Sequence, residues 1–541
     1  MREKSAIPWY TLALSAAGAV SLYHRLFTAN PLNYYDDDAF YYFQIARNLV
    51  LHHRSTFDGI HLTNGYHPLW MLTLVALTTI ASSKLLFFLI QTVTLASFIT
   101  TFLLARSLFR FYSTNLALTQ LAATAVALQA LLLIRGGMEI TLTIPLALAL
   151  CCYRLNPRFH WSTPTATNYG LLAALVVLSR LDAVFLIAPL LALDLVIPAL
   201  VNTENLLVTH PPEICHLDRS AAERRDLQFP RQSPTSSYLP SHLITILSAA
   251  TPIALYLLSN HHYFHLWTPV SGAAKQLRLH HTFPFASISA SLGPINALYR
   301  VIVIYPALLT LAAALIATFT SRTKTPRPTL FIASTLITLP LVQLLTVFTL
   351  SDWPIWPWYI YTVTLMMTGS LTLLFASFPN TQFPTRTDVR TLLSATALLF
   401  AWLFAIAITG GNAPRRWTPF AQAIAAFAQT HPGIYAMGDC SGTAGYLIPH
   451  PLIQLEGLVM DAPYLDNIRQ QRPLNDVLRD QHVRYYVTVD AHYRNGCWHT
   501  TEPIQAGPDS PHMQGLFCTE PVTTYPTLYG TVNIFDLDAA Q

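Results

Sequence analysis

Leu330-Phe-Ile-Ala-Ser-Thr-Leu-Ile-Thr-Leu-Pro340-Leu-Val-Gln-Leu-Leu-Thr-Val-Phe-Thr-Leu350 runs for 21 residues without a charged side chain. A bilayer core roughly 30 Å thick asks for about 20 apolar residues in a helix, so this stretch has the length of a membrane span. Runs of the same character lie at residues 7–23, 85–105, 115–134, 138–153, 183–201, 242–259, 297–320, 358–378 and 391–409. The composition agrees: of 541 residues 52% are hydrophobic and 11% charged, with a mean hydropathy of +0.39. An ordinary soluble domain carries roughly 25% charged residues, so a soluble globular protein is excluded and the chain reads as a polytopic α-helical membrane protein. A net charge of +4 without any Lys/Arg-rich run argues against a nucleic-acid partner.

Two further segments, 67–83 and 169–179, are short for a span, and each reverses the side of everything that follows it. The positive-inside rule arbitrates. With 67–83 on the outer interface and 169–179 crossing, the inner loops hold fifteen basic residues, against eight outside before the tail. This predicts about eleven spans in the cell (inner) membrane, the N-terminus cytoplasmic and the C-terminus extracytoplasmic. Segment 7–23 also resembles a signal peptide, through the small residues Ala16-Ala17-Gly18-Ala19, but an uncleaved span is preferred.

The chain thus divides into a membrane domain, 1–409, and an extracytoplasmic tail, 410–541. Within the first lie a large outer loop at 28–66 and an inner Ser- and Pro-rich loop at 202–240, which lacks periodicity and reads as a disordered insertion. The tail has strand-like runs at 483–489 and 532–537 and an amphipathic stretch at 420–429, so a small α/β domain is expected. An oxidising outer compartment would allow its Cys497 and Cys518 to pair, leaving Cys440 odd. Gly438-Asp-Cys-Ser-Gly442-Thr-Ala-Gly445 looks like a phosphate loop, but its spacing fits no glycine fingerprint and it is read as a turn. No zinc-type or nucleotide-binding spacing occurs.

The chemistry concentrates in the first outer loop, Asn33-Tyr-Tyr-Asp36-Asp37-Asp38-Ala-Phe-Tyr-Tyr-Phe-Gln-Ile-Ala-Arg47. Ala39, Phe43, Ala46 and Val50 recur at helical spacing, which predicts an amphipathic helix lying on the membrane surface with the acids at its N-terminus. Aspartates there cap orphan N–H groups and complement the helix dipole. Capping does not need three of them, and a carboxylate at the bilayer surface is also placed to take a proton from a hydroxyl.

The loop continues Ser55-Thr-Phe-Asp58-Gly59, then Thr63-Asn64-Gly65-Tyr66-His67-Pro68-Leu69-Trp70. Together these motifs resemble the polyprenyl-phosphate-sugar-dependent membrane glycosyltransferases of GT-C type, the superfamily of protein O-mannosyltransferases and lipid A aminoarabinose transferases. The resemblance spans 33–70 and implies a GT-C-like bundle. It matches Asp37 and Asp38 to the family's acidic pair, with Asp37 the expected catalytic carboxylate, and His67, Pro68 and Leu69 to the motif that closes the loop. Where close relatives of the aminoarabinose transferase have Lys-Pro-Pro-Leu, this chain has His67-Pro-Leu, so their sugar and acceptor specificities do not transfer.

Other ionisable residues fall on the same side: Arg135 and Glu139, Arg180 and Asp182, and Lys275 within Pro269-Val-Ser-Gly-Ala-Ala-Lys. Such groups at membrane depth are functional suspects, although Arg135 with Glu139 and Arg180 with Asp182 could simply be local ion pairs. Lys275 lacks a local acid and is the better phosphate ligand. The expected reaction is inverting transfer of a sugar from a polyprenyl-phosphate donor to a hydroxyl of a cell-envelope lipid, glycan or protein. Asp37 is the general base, Asp38 orients the acceptor, and Lys275, Arg180 and Arg135 face the donor phosphate. His67, Asn64, Glu139 and Asp182 position substrate. No cofactor is expected; a divalent ion could bind Asp38 but is not required. His261, His262 and His265, like the Trp-rich stretch 351–359, read as interfacial belts rather than metal or sugar sites. The rival reading is a lipid-linked-sugar flippase or secondary transporter, for which the missing internal repeat and the outer-end position of the charges count against.

Overall fold

Apolar segments in hydrocarbon must satisfy their backbone N–H and C=O groups internally, and the helix is the one open structure that does so. The computed structural model describes residues 30–81, 83–134, 136–207, 238–279, 295, 297–320, 325–378, 417–527 and 530–538. Its membrane part comprises α1 (Asp37–His52), α2 (Pro68–Ile80), α3 (Ser83–Arg110), α4 (Leu116–Ile134), α5 (Ile140–Leu155), α6 (Thr163–Ser179), α7 (Val184–Leu207) and α8 (Tyr238–Phe264). The short α9 (Val270–Ala274), α10 (Ala297–Thr320, with a π-turn at Arg300–Ile304), α11 (Arg327–Leu350) and α12 (Tyr361–Ser377) follow. Among the described residues, six stretches are long and apolar enough to cross a membrane: Lys84–Arg110, Leu116–Ile134, Pro240–Phe264, Ala297–Thr320, Arg327–Leu350 and Pro357–Ser377. The expected spans at 7–23 and 391–409 lie outside the described residues, as does 208–237 of the inner loop, into which α7 and α8 reach from either side.

The polar residues of these helices are accommodated locally. Thr338, Thr346 and Thr349 of α11 each donate their hydroxyl to the carbonyl four residues earlier, at 2.8–3.0 Å. Pro145, Pro252 and Pro340 sit inside helices, as membrane helices tolerate. Small residues bring backbones together: Gly369 of α12 packs on the Ala333 carbonyl of α11, and Gly170 of α6 on the Thr245 carbonyl of α8. α12 is the most enclosed of these spans, whereas α10 leaves Leu309, Ile316 and Phe319 exposed, the mark of a lipid-facing surface.

Both short segments are helical. α2 has 13 residues, about 20 Å at 1.5 Å per residue, too little to cross the bilayer. Segment 169–179 belongs to the longer α6, which starts at a Ser162–Thr165 capping box, so the polar residues 165–168 extend the helix instead of ending it.

The tail opens with α13 (Thr418–Ala428) and builds β1 (Tyr435–Met437), α14 (Ser441–Leu447), β2 (Leu452–Gln454), α15 (Ala462–Arg469), α16 (Leu474–Asp480) and β3 (Tyr485–Thr488). Strands β4 (Ala491–Arg494), β5 (Cys497–Glu502), β6 (Met513–Phe517), β7 (Thr523–Thr527) and β8 (Gly530–Asp536) follow. The main sheet has the order β2-β1-β3-β8-β7, with β1 parallel to β2 and β3 and the β3–β8 and β8–β7 pairs antiparallel; β4-β5-β6 form a separate antiparallel sheet. Cys497 and Cys518 are joined in a disulfide across β5 and β6. Closing a 21-residue separation restricts the unfolded chain, so replacing both cysteines by Ala should cost the tail about 3 kcal/mol, read as an earlier thermal transition that reductant reproduces in the native protein.

One expectation is corrected. α1 does not lie open on the membrane surface: Phe40, Tyr41, Tyr42 and Phe43 are all buried, as are Ile45 and Ala46. The tail covers it through α14, with Phe40 and Tyr446 ring centroids 5.5 Å apart and the Tyr41 hydroxyl 3.0 Å from the Ser441 hydroxyl.

Candidate active site

α1, the loop after it, α9, the ends of α7 and α11, and the segments that follow α6 and precede α12 surround a cavity of about 410 Å³. Its polar lining includes Asp38, Tyr42, His67, Glu139, Arg180 and Lys275. Val184, Phe185, Val347, Leu350 and Trp358 line the same space, so a charged head group and a hydrocarbon chain both find matching side chains there.

Arg180 follows the last turn of α6, and its guanidinium is shared between Glu139, which it pairs directly, and Asp182, at 2.9 Å. Glu139 also accepts the Tyr42 hydroxyl at 3.1 Å. Asp182 accepts from Gln343 at 2.7 Å and from the Tyr361 hydroxyl at 3.1 Å. The Arg180 guanidinium lies 4.7 Å from the Tyr359 ring centroid. With two carboxylates in contact, most of its positive charge is already compensated. His67 Nδ1 accepts the Leu181 N–H at 3.3 Å, which leaves the ring proton on Nε2, 3.7 Å from Glu139. Burial pulls the His67 pKa down, so the ring is neutral.

Lys275 is differently placed. Its ammonium donates to the Tyr359 hydroxyl at 3.1 Å and lies 5.8 Å from the Trp353 ring centroid. Burial pulls its pKa down, but Tyr359 and Asp38 outweigh this and the net shift is upward, so it carries its charge. Asp38 faces the same cavity. Burial pushes its carboxyl up to about 7, against the pull of Lys275 and with neighbouring Asp37 adding to the rise.

Asp37 is absent from the cavity lining. Its carboxylate accepts the Gly442 N–H at 2.8 Å, the Thr443 N–H at 2.8 Å and the Thr443 hydroxyl at 2.7 Å. Burial raises it to about 6, the Thr443 and Gly442 bonds opposing. Gly442 is required here, because a side chain would run into the Asp37 carbonyl. The glycine-rich stretch read as a turn therefore does hold an anion at a helix N-terminus, and the anion is the chain's own.

Asn64 also points elsewhere. It accepts the Val270 N–H at 2.9 Å and donates to the Thr268 carbonyl at 3.3 Å, which ties the outer loop to the segment carrying Lys275. Asp36 stands at the N-cap of α1 without a side-chain capping bond. Glu139 is paired with a residue 41 positions away, while Arg135, its expected partner, lies outside the described residues. Tyr359, Trp353, Tyr42 and Gln343 were not legible as site residues. Tyr359 and Trp353 sit in a Trp-rich outer stretch whose composition reads as an interfacial belt. Among the described residues no group of three or more His, Cys, Asp or Glu side chains is arranged to hold a metal ion.

No protein-family model and no curated protein matches the chain. Among solved structures it is similar to ArnT from Cupriavidus metallidurans bound to undecaprenyl phosphate, with a TM-score of 0.52 and 12% identity over 90% of this chain and 94% of that one. ArnT from the same organism in the apo state gives a TM-score of 0.51 and 13% identity over 89% and 92%. The GT-C-like bundle that residues 33–70 led one to expect is thus the fold of this multi-pass membrane protein, complete with its C-terminal α/β domain.

Proposed function

We propose that the protein transfers a sugar from a polyprenyl-phosphate donor to an acceptor hydroxyl at the outer membrane face, with inversion at the anomeric carbon. The observation that carries this reading is the pairing, in one cavity with a largely apolar lining, of a carboxyl poised near neutrality, Asp38, with a charged lysine, Lys275. The acceptor oxygen forms a bond to the anomeric carbon as the bond from that carbon to the phosphate oxygen breaks. The acceptor proton passes to Asp38, and the bonding pair leaves with the polyprenyl phosphate, whose charge Lys275 meets. Asp38 takes the role that the sequence resemblance offered to Asp37, because Asp37 is engaged by three hydrogen bonds away from the cavity. Arg180, held by two carboxylates, keeps the cavity wall in shape and lends the phosphate a smaller share of charge.

Undecaprenyl phosphate bound to a protein of the same fold supports a lipid-phosphate ligand here. The Cys497–Cys518 disulfide and the distribution of basic residues support an extracytoplasmic tail in an eleven-span topology, N-terminus inside. Which sugar moves, and whether a lipid, glycan or protein receives it, is to be read from a pooled envelope extract supplied as acceptor.

The test is label transfer from a polyprenyl-phosphate sugar by the purified protein as a function of pH. A base must be ionised to act, and Asp38 ionises through about 7, so kcat/KM should rise about tenfold between pH 6 and 8. Stability runs the other way. The folded pKa lies above the ordinary 3.8, so the contribution of Asp38 to stability is complete below pH 4 and is lost as pH climbs through about 7. A rate independent of pH over this range would remove Asp38 from the proposed role.

A further inference from the structure

The tail domain reaches both working groups of the cavity. At one side α14 holds the Asp37 carboxylate by the three bonds described, while Arg47 of α1 donates to the Tyr446 carbonyl at 3.3 Å and lies 4.8 Å from the centroid of its ring. At the other side the turn before β6 holds the chain just beyond Lys275. There the Asp509 carboxylate meets Arg278 at 3.1 Å and its carbonyl accepts the Leu279 N–H at 2.7 Å. The same turn grips the segment beneath Lys275: Asp352, next to Trp353, accepts the Asp509 N–H at 2.9 Å and the Ser510 hydroxyl at 2.5 Å. Between the two sides, Leu458 and Val459 of the tail line the cavity, and Gly65 packs on the Leu458 carbonyl.

We propose that the tail domain is the template that sets the position of Asp38 relative to Lys275, and that Asp37 is a positioning residue, the latch by which α14 fixes the rotation of α1. This rests on the proposed roles of Asp38 and Lys275. Successive residues on a helix point about 100° apart, so clamping the first helical residue determines where the second aims its carboxylate. Asp37 suits the task because a carboxylate can accept several N–H and O–H bonds at once and Asp favours a helix first turn. A displacement of about 1 Å at a reacting group is enough to slow a reaction by about 10²-fold, so a latch remote from the chemistry governs rate without governing binding.

The experiment compares full-length wild type, Asp37→Asn, Thr443→Val, Thr443→Ser and the Asp37→Asn/Thr443→Val pair. Single-turnover transfer, donor binding and amide hydrogen exchange are measured on each. The latch predicts that Asp37→Asn and Thr443→Val each slow transfer about tenfold or more while donor Kd stays within about twofold. The pair should be no slower than its slower member, Thr443→Ser should recover most of the loss, and the pH profile of the slowed variants should still turn near 7. Exchange should quicken at residues 37–43 and 441–447. Loss of more than about 10³-fold in Asp37→Asn alone, with Thr443→Val within about twofold of wild type, would make Asp37 the proton acceptor and overturn the proposal. So would unchanged rates in both variants. If the wild type transfers nothing, the functional reading falls, yet the exchange comparison still decides the latch, and unchanged protection at 37–43 and 441–447 in both variants would refute it.

Discussion

Asp38→Asn is expected to slow single-turnover sugar transfer by about 10²- to 10⁴-fold, or about 3–5 kcal/mol of transition-state stabilisation, with donor binding changed by no more than about twofold. The amide keeps the shape of the side chain but cannot take the acceptor proton. The site should tolerate the substitution, because Asp38 is buried with its carboxyl already raised to about 7, so a neutral group there removes a desolvation cost rather than adding one. A folded variant that still binds donor and has lost the rise in rate between pH 6 and 8 identifies the base. A folded variant within about fivefold of wild type would show that the proton goes elsewhere.

Lys275→Met should act on the leaving group. Its side chain is close in length and fills the same space, while the charge and with it the ammonium's contacts to Trp353 and Tyr359 are lost. Removing one preorganised partner of a developing charge costs about 10²–10³ in kcat. A second consequence follows from the same contact. Lys275 lowers the pKa of Asp38, so without it the base should ionise at higher pH and the alkaline rise should move above 7. The two effects separate the roles: a donor with a better leaving group would lessen the first and leave the second. Product inhibition by free polyprenyl phosphate should weaken in parallel, since the ammonium is the least compensated cation that the described residues place in the cavity.

The membrane character, most helix positions and the α/β tail are legible in the chain because apolar length and strand alternation are local properties. α10 covers the expected 297–320 run in full. The first outer loop is equally open to reading, since three aspartates before an apolar helical repeat announce both a helix start and a carboxylate cluster. What cannot be read there is which aspartate lines the cavity. Asp37 and Asp38 differ by one step around a helix, and the choice between them is made by Gly442 and Thr443, residues 405 and 406 positions away. Glu139 teaches the same point. A basic residue four positions before it suggests a helical ion pair, yet Arg180, delivered by the packing of α5 against α6, is its partner. Tyr359 is hidden for another reason: an aromatic residue among tryptophans carries no sign that its hydroxyl will meet a lysine 84 positions earlier.

Transfer of a lipid-linked sugar and its passage across the membrane leave the label in different places. The most direct measurement places purified protein in sealed vesicles with a labelled polyprenyl-phosphate sugar and a pooled acceptor extract, and follows the label through one turnover. For a transferase, label leaves the lipid for the acceptor, free polyprenyl phosphate appears in equal amount, and Asp38→Asn binds the donor and releases nothing. Label that stays on its lipid and appears at the opposite leaflet would rule out transfer and make the protein a flippase.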